Sequence, residues 1–273
     1  MKSPIEIVAK AAVKVKLACM SAAVATLMFC PAVLGQVRTT VGELTDTRGS
    51  AFSNLEVELK FFGDILLDAK GIRLIVDRAV DQTGRSLMKE SESFIANQFK
   101  DISLQGSTTK IELELNNPAR QAATIPEISG TLEIFVPNKD TNSSITVENF
   151  VGKKNVPVSN SVLKSLGIEV VIKKPEDGDG ENSLSSVFGV SLINAVVLEI
   201  KDPDSKLIKV EFQEENGKII SSNGYSTVTS GDLTTKTFHF QEKLPSKAQL
   251  NLYLFTSESV VTVPFKVVDI PLP

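Results

Sequence analysis

Period-two alternation of apolar and polar residues constrains this chain more than any other feature. Leu55, Val57, Leu59 and Phe61 alternate with Glu56, Glu58 and Lys60, so a strand through them turns one face to a core and the other to water. Comparable runs follow at 71–80, 110–115, 131–136, 145–150, 167–173, 195–200, 207–212, 236–240, 250–255 and 260–268. Turn-forming clusters separate them, among them Asp81-Gln82-Thr83-Gly84, Asn116-Asn117-Pro118, Asp202-Pro203-Asp204 and Glu215-Asn216-Gly217. Such residues favour turns because they tolerate left-handed backbone, preset φ or bond their own main chain. Many short strands at this spacing predict an all-β fold of immunoglobulin-like or fibronectin-like β-sandwiches.

Helix signals are few. The segment 160–166 offers Ser or Asn to cap its start, puts Val162, Leu163 and Leu166 on one face, and has Gly167 where a left-handed residue ends a helix. The segment 86–100 fits a helical stripe only loosely, with Ser91 to Ser93 interrupting it.

The first 35 residues differ from the rest. Lys2, Lys10, Lys14 and Lys16 form a basic region, 17–29 is an uncharged and mostly apolar run, and Pro31 precedes Ala32-Val33-Leu34-Gly35. That order is the pattern of a secretory signal peptide. The apolar run is shorter than the roughly 20 residues a permanent transmembrane helix needs. Val33 and Gly35 suit the small positions before a cleavage site, so cleavage is expected after Gly35. Lys16 and Phe29, close before Cys19 and Cys30, argue against a lipoprotein signal.

Removing this leader changes the chemistry. It carries four lysines and one glutamate, a net +3, so the formal charge falls from −4 to −7. An acidic exported chain makes a poor partner for nucleic acid, whose phosphates are met by Lys and Arg. Both cysteines leave with the leader. The remainder has no disulfide for an oxidising compartment, which suits a bacterial envelope better than eukaryotic secretion.

The polar stretch Gly152-Lys153-Lys154-Asn155-Val156-Pro157 predicts a boundary, giving a first domain of 36–157 and a second of 158–273. Landmarks recur in order on either side. Thr108-Thr109-Lys110, Pro118, Leu132 to Phe135 and Thr146 to Phe150 correspond to Thr234-Thr235-Lys236, Pro245, Leu252 to Phe255 and Thr262 to Phe265. This order reads as tandem sandwiches related by duplication, against the alternative that strand sequences resemble one another by composition alone. The last run, with Val261, Val263, Phe265 and Val267 on one face, is expected to pack into the second sandwich. Pro264 lacks an N–H and assigns that strand to an edge.

Candidate chemistry is sparse. The one histidine, His239, lies between Phe238 and Phe240, so alternation assigns it to a solvent-facing strand position with no nucleophile nominated beside it. The acidic stretch 176–182 has oxygens that suit calcium. Counted from Asp177, however, the glycine and glutamate positions of an EF-hand hold Asn182 and Phe188. It reads as a solvated loop. No cofactor or metal site is expected, and no catalytic, cofactor or metal residue is nominated. The expected function is therefore non-catalytic. It is binding or scaffolding in a bacterial envelope, with another envelope protein as partner, no nucleic acid and no membrane span once the leader is gone. Two other readings stand beside it. One is a periplasmic chaperone, whose two sandwiches this layout resembles; the other is a hydrolase whose paired carboxylates lie far apart in sequence.

Overall fold

The alternating runs become strands. The computed structural model describes residues 37–49, 53–89, 98–173 and 194–273, and within them the protein is predominantly β. The strands are β1 (Arg38–Arg48), β2 (Ser53–Phe62), β3 (Gly71–Val80), β4 (Thr108–Leu115), β5 (Thr124–Phe135), β6 (Ser144–Val147), β7 (Val156–Pro157) and β8 (Glu169–Lys173). They continue as β9 (Ala195–Lys201), β10 (Leu207–Gln213), β11 (Ile219–Ile220), β12 (Gly224–Ser230), β13 (Leu233–His239), β14 (Gln249–Leu254) and β15 (Val260–Pro271). A short α-helix, α1 (Ser161–Leu166), precedes β8. The Asn160 side chain caps it by accepting the N–H of Val162 at 2.8 Å, and Gly167 ends it at φ 72°. Most of 86–100 and all of the acidic stretch 176–182 lie outside the described residues. No helix among the described residues is long and apolar enough to cross a membrane.

The strands pair antiparallel in four sheets, ordered β1-β2-β4, β15-β5-β3, β11-β10-β14-β6 and β12-β13-β9-β8-β7. The first two sheets enclose one core. It contains Leu55, Val57, Leu59 and Phe61 of β2, Leu132 and Ile134 of β5, and Phe265, Val267 and Ile270 of β15. The other two sheets enclose a second core around Val170, Ile172, Leu198, Ile200, Phe212, Leu250 and Leu252. The polar residues of each alternation stay outside, where Glu58 meets Lys60 at 3.3 Å and Lys110 at 2.9 Å. Exposed ion pairs of this kind contribute little, so burial of the aliphatic faces holds the sheets together.

The last strand corrects an expectation. The apolar face of 261–267 packs into the first core, not the second. β15 pairs with β5 from Val260 opposite Phe135 to Pro271 opposite Thr124. Alternation specifies that a strand needs an apolar neighbour, but not which neighbour, and β5 presents the longer complementary edge. Pro264 stands on the edge strand, as its missing N–H requires. In the opposite sense β6 joins the second core, with Leu250 opposite Val147 and Leu252 opposite Ile145. The chain thus crosses between the two cores on either side of the 152–157 stretch.

A polar contact with an aromatic border joins the two cores. The Lys70 ammonium lies 3.2 Å from the Glu211 carboxylate, and Tyr253 donates its hydroxyl to Glu211 at 3.0 Å. Phe135 meets the Tyr253 ring at 6.3 Å between centroids, and Phe99 lies between Phe135 and Phe255. Glu211 is buried, and its bonds from Lys70, Tyr253 and Gln213 offset the cost of removing a carboxylate from water.

Candidate binding groove

Two edge strands from opposing sheets of the first core border a groove of about 500 Å³. Each strand breaks its alternation there. In β1 a bulge lies between Val41, opposite Leu59, and Leu44, opposite Val57, so the extra residue keeps both aliphatic side chains turned inward. Gly42 occupies the bulge. A Cβ there would meet the ends of the Glu58 and Lys60 side chains, the latter at 2.7 Å, and these flexible ends would have to swing aside.

In β15 the break falls at Asp269. Its φ of 53° is left-handed, a region that Asp tolerates better than bulkier side chains. Val267 and Ile270 are consequently both buried, while Val268 and Asp269 are both exposed. The partner strand changes face at the same level. Ile128 opposite Val267 and Ile125 opposite Ile270 are both buried, and Pro126 lies between them.

The groove therefore has an aliphatic floor and a polar rim. Val41, Leu44, Val267 and Ile270 form the floor; Thr39, Lys266 and Asp269 stand at the rim. Lys266 reaches Glu127 at 2.9 Å, and Ser129 donates to the same carboxylate at 2.7 Å. These two bonds hold Glu127 below the usual carboxylate range. Val268 is 53% exposed beside them. Both bordering strands are terminal in their sheets, so main-chain N–H and C=O groups along their outer edges have no ladder partner among the described residues. Unpaired edges over an apolar floor suit an extended peptide, which bonds through its backbone and fills the floor with alternate side chains.

The histidine weighed in the sequence lies away from this groove. His239 is half-buried on β13, with Nδ1 enclosed and no hydrogen-bond partner to it among the described residues. This corrects the solvent-facing expectation, since alternation assigns a sheet face but not what covers it. The acidic stretch 176–182 is outside the described residues, and no metal-binding group of His, Cys, Asp and Glu gathers among them. The groove is not legible in the sequence because the bulge in β1 interrupts its alternation. Its Thr-rich strand has Val41 and Leu44 three apart. The signal that could have found it is Thr39 and Val41 alternating up to a glycine, with the alternation resuming one residue late.

No protein-family model matches the chain, and no curated protein matches it.

Proposed function

We propose that this is a non-catalytic, exported binding or scaffolding protein of the bacterial cell envelope, which holds an extended segment of another envelope protein in the groove between β1 and β15. The single observation that carries this reading is the pair of terminal strands, β1 and β15, that border a groove lined by Val41, Leu44, Val267 and Ile270. Main-chain pairing supplies affinity in such sites, and pockets for alternate side chains supply selectivity. Export is supported by the basic, apolar and small-residue order of residues 1–35. We read the two sandwiches as immunoglobulin-like or fibronectin-like domains, and the halves 36–157 and 158–273 as a duplication whose copies exchange β6 and β15, supported by the polar stretch and the repeated landmarks.

A photo-crosslinking amino acid placed at Val268, compared with one at exposed Ile219 of the second core, tests the reading in living cells. The expected result is a discrete adduct from Val268 in the envelope fraction, none from Ile219, and loss of the adduct when Leu44→Lys charges the floor. Mass spectrometry of the adduct should find Gln36 or a near neighbour as the first residue. Equal labelling from both positions, or a cytoplasmic protein retaining Met1, would overturn the proposal.

A further inference from the structure

The five-stranded sheet ends in β12, whose seven residues are all exposed. It pairs with β13 without a register shift and carries neither charge nor proline. Proteins guard open edges with charge, proline, bulges or shortness, because a flat neutral edge pairs with other chains. Among the described residues every other edge carries at least one such device, which on β1 and β15 leaves pairing to a segment that fits the bulge and the rim charges of the groove. β1 has Arg38, Glu43 and a bulge; β4 has Lys110, Glu112 and Glu114. β3 has Arg73, Asp77 and a register shift, and β15 has Pro264 and Lys266. β6, β7 and β11 have four, two and two residues. β12 has none of these devices.

We propose that β12 is a self-association edge, pairing antiparallel with β12 of a second copy about a two-fold axis through Thr227. This register sets Tyr225 opposite Thr229, Ser226 opposite Val228 and Thr227 opposite itself. Farther out, Ser222 faces Asp232, so no charge meets a like charge along 222–232. Thr, Val and Tyr are strand formers, and cross-strand pairs among them are favourable. The occupant is a second copy because β12 carries no charged address to select a different strand, while its neutral sequence is compatible with itself. Tyr225 is 63% exposed and Val228 47%, and a symmetric pair covers both twice. A single strand pair falls short of the roughly 1,000 Å² of a stable interface, so the dimer forms reversibly and in proportion to concentration. Pairing through neutral backbone makes it insensitive to salt. This inference does not depend on the groove in the first core.

Sedimentation velocity of the purified protein over a concentration series tests it, using the wild type, Thr227→Lys, Thr227→Glu and an equimolar mixture of the two variants. The wild type should dimerise equally at low and high salt. Each variant, with like charges facing across the axis, should associate at least about tenfold more weakly. The mixture should regain association because Lys then faces Glu, a recovery that misfolded variants would not show. Hydrogen exchange of the wild-type β12 amides should slow as concentration rises. A wild type that stays monomeric, a dimer indifferent to both variants, or a mixture without recovery would each overturn the proposal.

Discussion

Phe265 stands edge-on to Phe61, with ring centroids 5.8 Å apart and planes at 89°. The last strand of the chain therefore closes the core built by its second strand. Large-to-small changes at buried aromatic positions cost about 3–5 kcal/mol, so Phe265→Ala should lose that much stability, and the loss should appear in the first core. A chain ending at Glu258 should lose hydrogen-exchange protection in β2 and β5 while β10 and β14 keep theirs. Protection lost first from β10 and β14 would place the strand's contribution in the wrong core.

Tyr253 links pH to the joint between the cores. Burial first, then the charge and hydrogen bond of Glu211, push its phenol above the ordinary tyrosine value of about 10. The unfolded chain gives up this proton near that ordinary value, whereas the folded chain keeps it. The contribution to stability is therefore complete below about pH 10 and is lost as pH rises above it. Tyr253→Phe should flatten this alkaline loss. At neutral pH it should cost about 1.5–3 kcal/mol, the usual value of a hydrogen bond to a charged group. Denaturant midpoints of both proteins across the alkaline range would check it, and parallel curves would refute it.

Local features were legible in the sequence because local physics sets them. Asn160 and Gly167 bracket α1 as capping rules require, and Leu55 to Phe61 alternate along β2 with their apolar members all buried. Strand partners were not legible, since Phe265 satisfies its alternation against either core. β12 escaped notice for the opposite reason. With every residue exposed it has no buried face, and Gly224-Tyr225-Ser226-Thr227-Val228-Thr229-Ser230 shows no contrast to read. The groove needs both β1, whose bulge breaks the period, and β15, more than two hundred residues later.

Asp81 should make the first core sensitive to acid. It is buried at the turn after β3 and accepts from the Thr83 N–H at 2.8 Å, the Thr83 hydroxyl at 2.6 Å, the Arg85 N–H at 3.0 Å and the Ala119 N–H at 2.8 Å. Burial opposes its charge, and these hydrogen bonds outweigh the opposition and hold the carboxyl below its ordinary value. The group's stabilisation is thus present above the unfolded value of about 3.9 and disappears as pH falls through the lower folded one. Asp81→Asn keeps the shape but removes the charge and one acceptor oxygen, leaving an N–H poorly paired. A loss of about 1–3 kcal/mol at neutral pH is expected, together with a shallower acid transition. A variant as stable as the wild type at pH 7 would show that the turn does not need the carboxylate.

The exchange of strands predicts how the protein behaves when cut. Leu132 to Phe135 of β5 and Leu252 to Phe255 at β14 are corresponding landmarks in the two halves, as are the strands that follow, β6 and β15. Each landmark strand pairs with the follower from the other half, β5 with β15 and β14 with β6. A break at the proposed boundary within 152–157 therefore severs the chain but neither ladder. Fragment 36–157 alone would lack Phe265, Val267 and Ile270. Burying each contributes about 1.5–3 kcal/mol, a large share of the 5–15 kcal/mol by which a domain is stable. A specific protease site inserted at 152–157 should yield two fragments that elute together by size exclusion, separate only in denaturant, and reassemble when mixed and refolded. Two fragments that elute apart, each with its own cooperative melting transition, would show that the exchanged strands are dispensable.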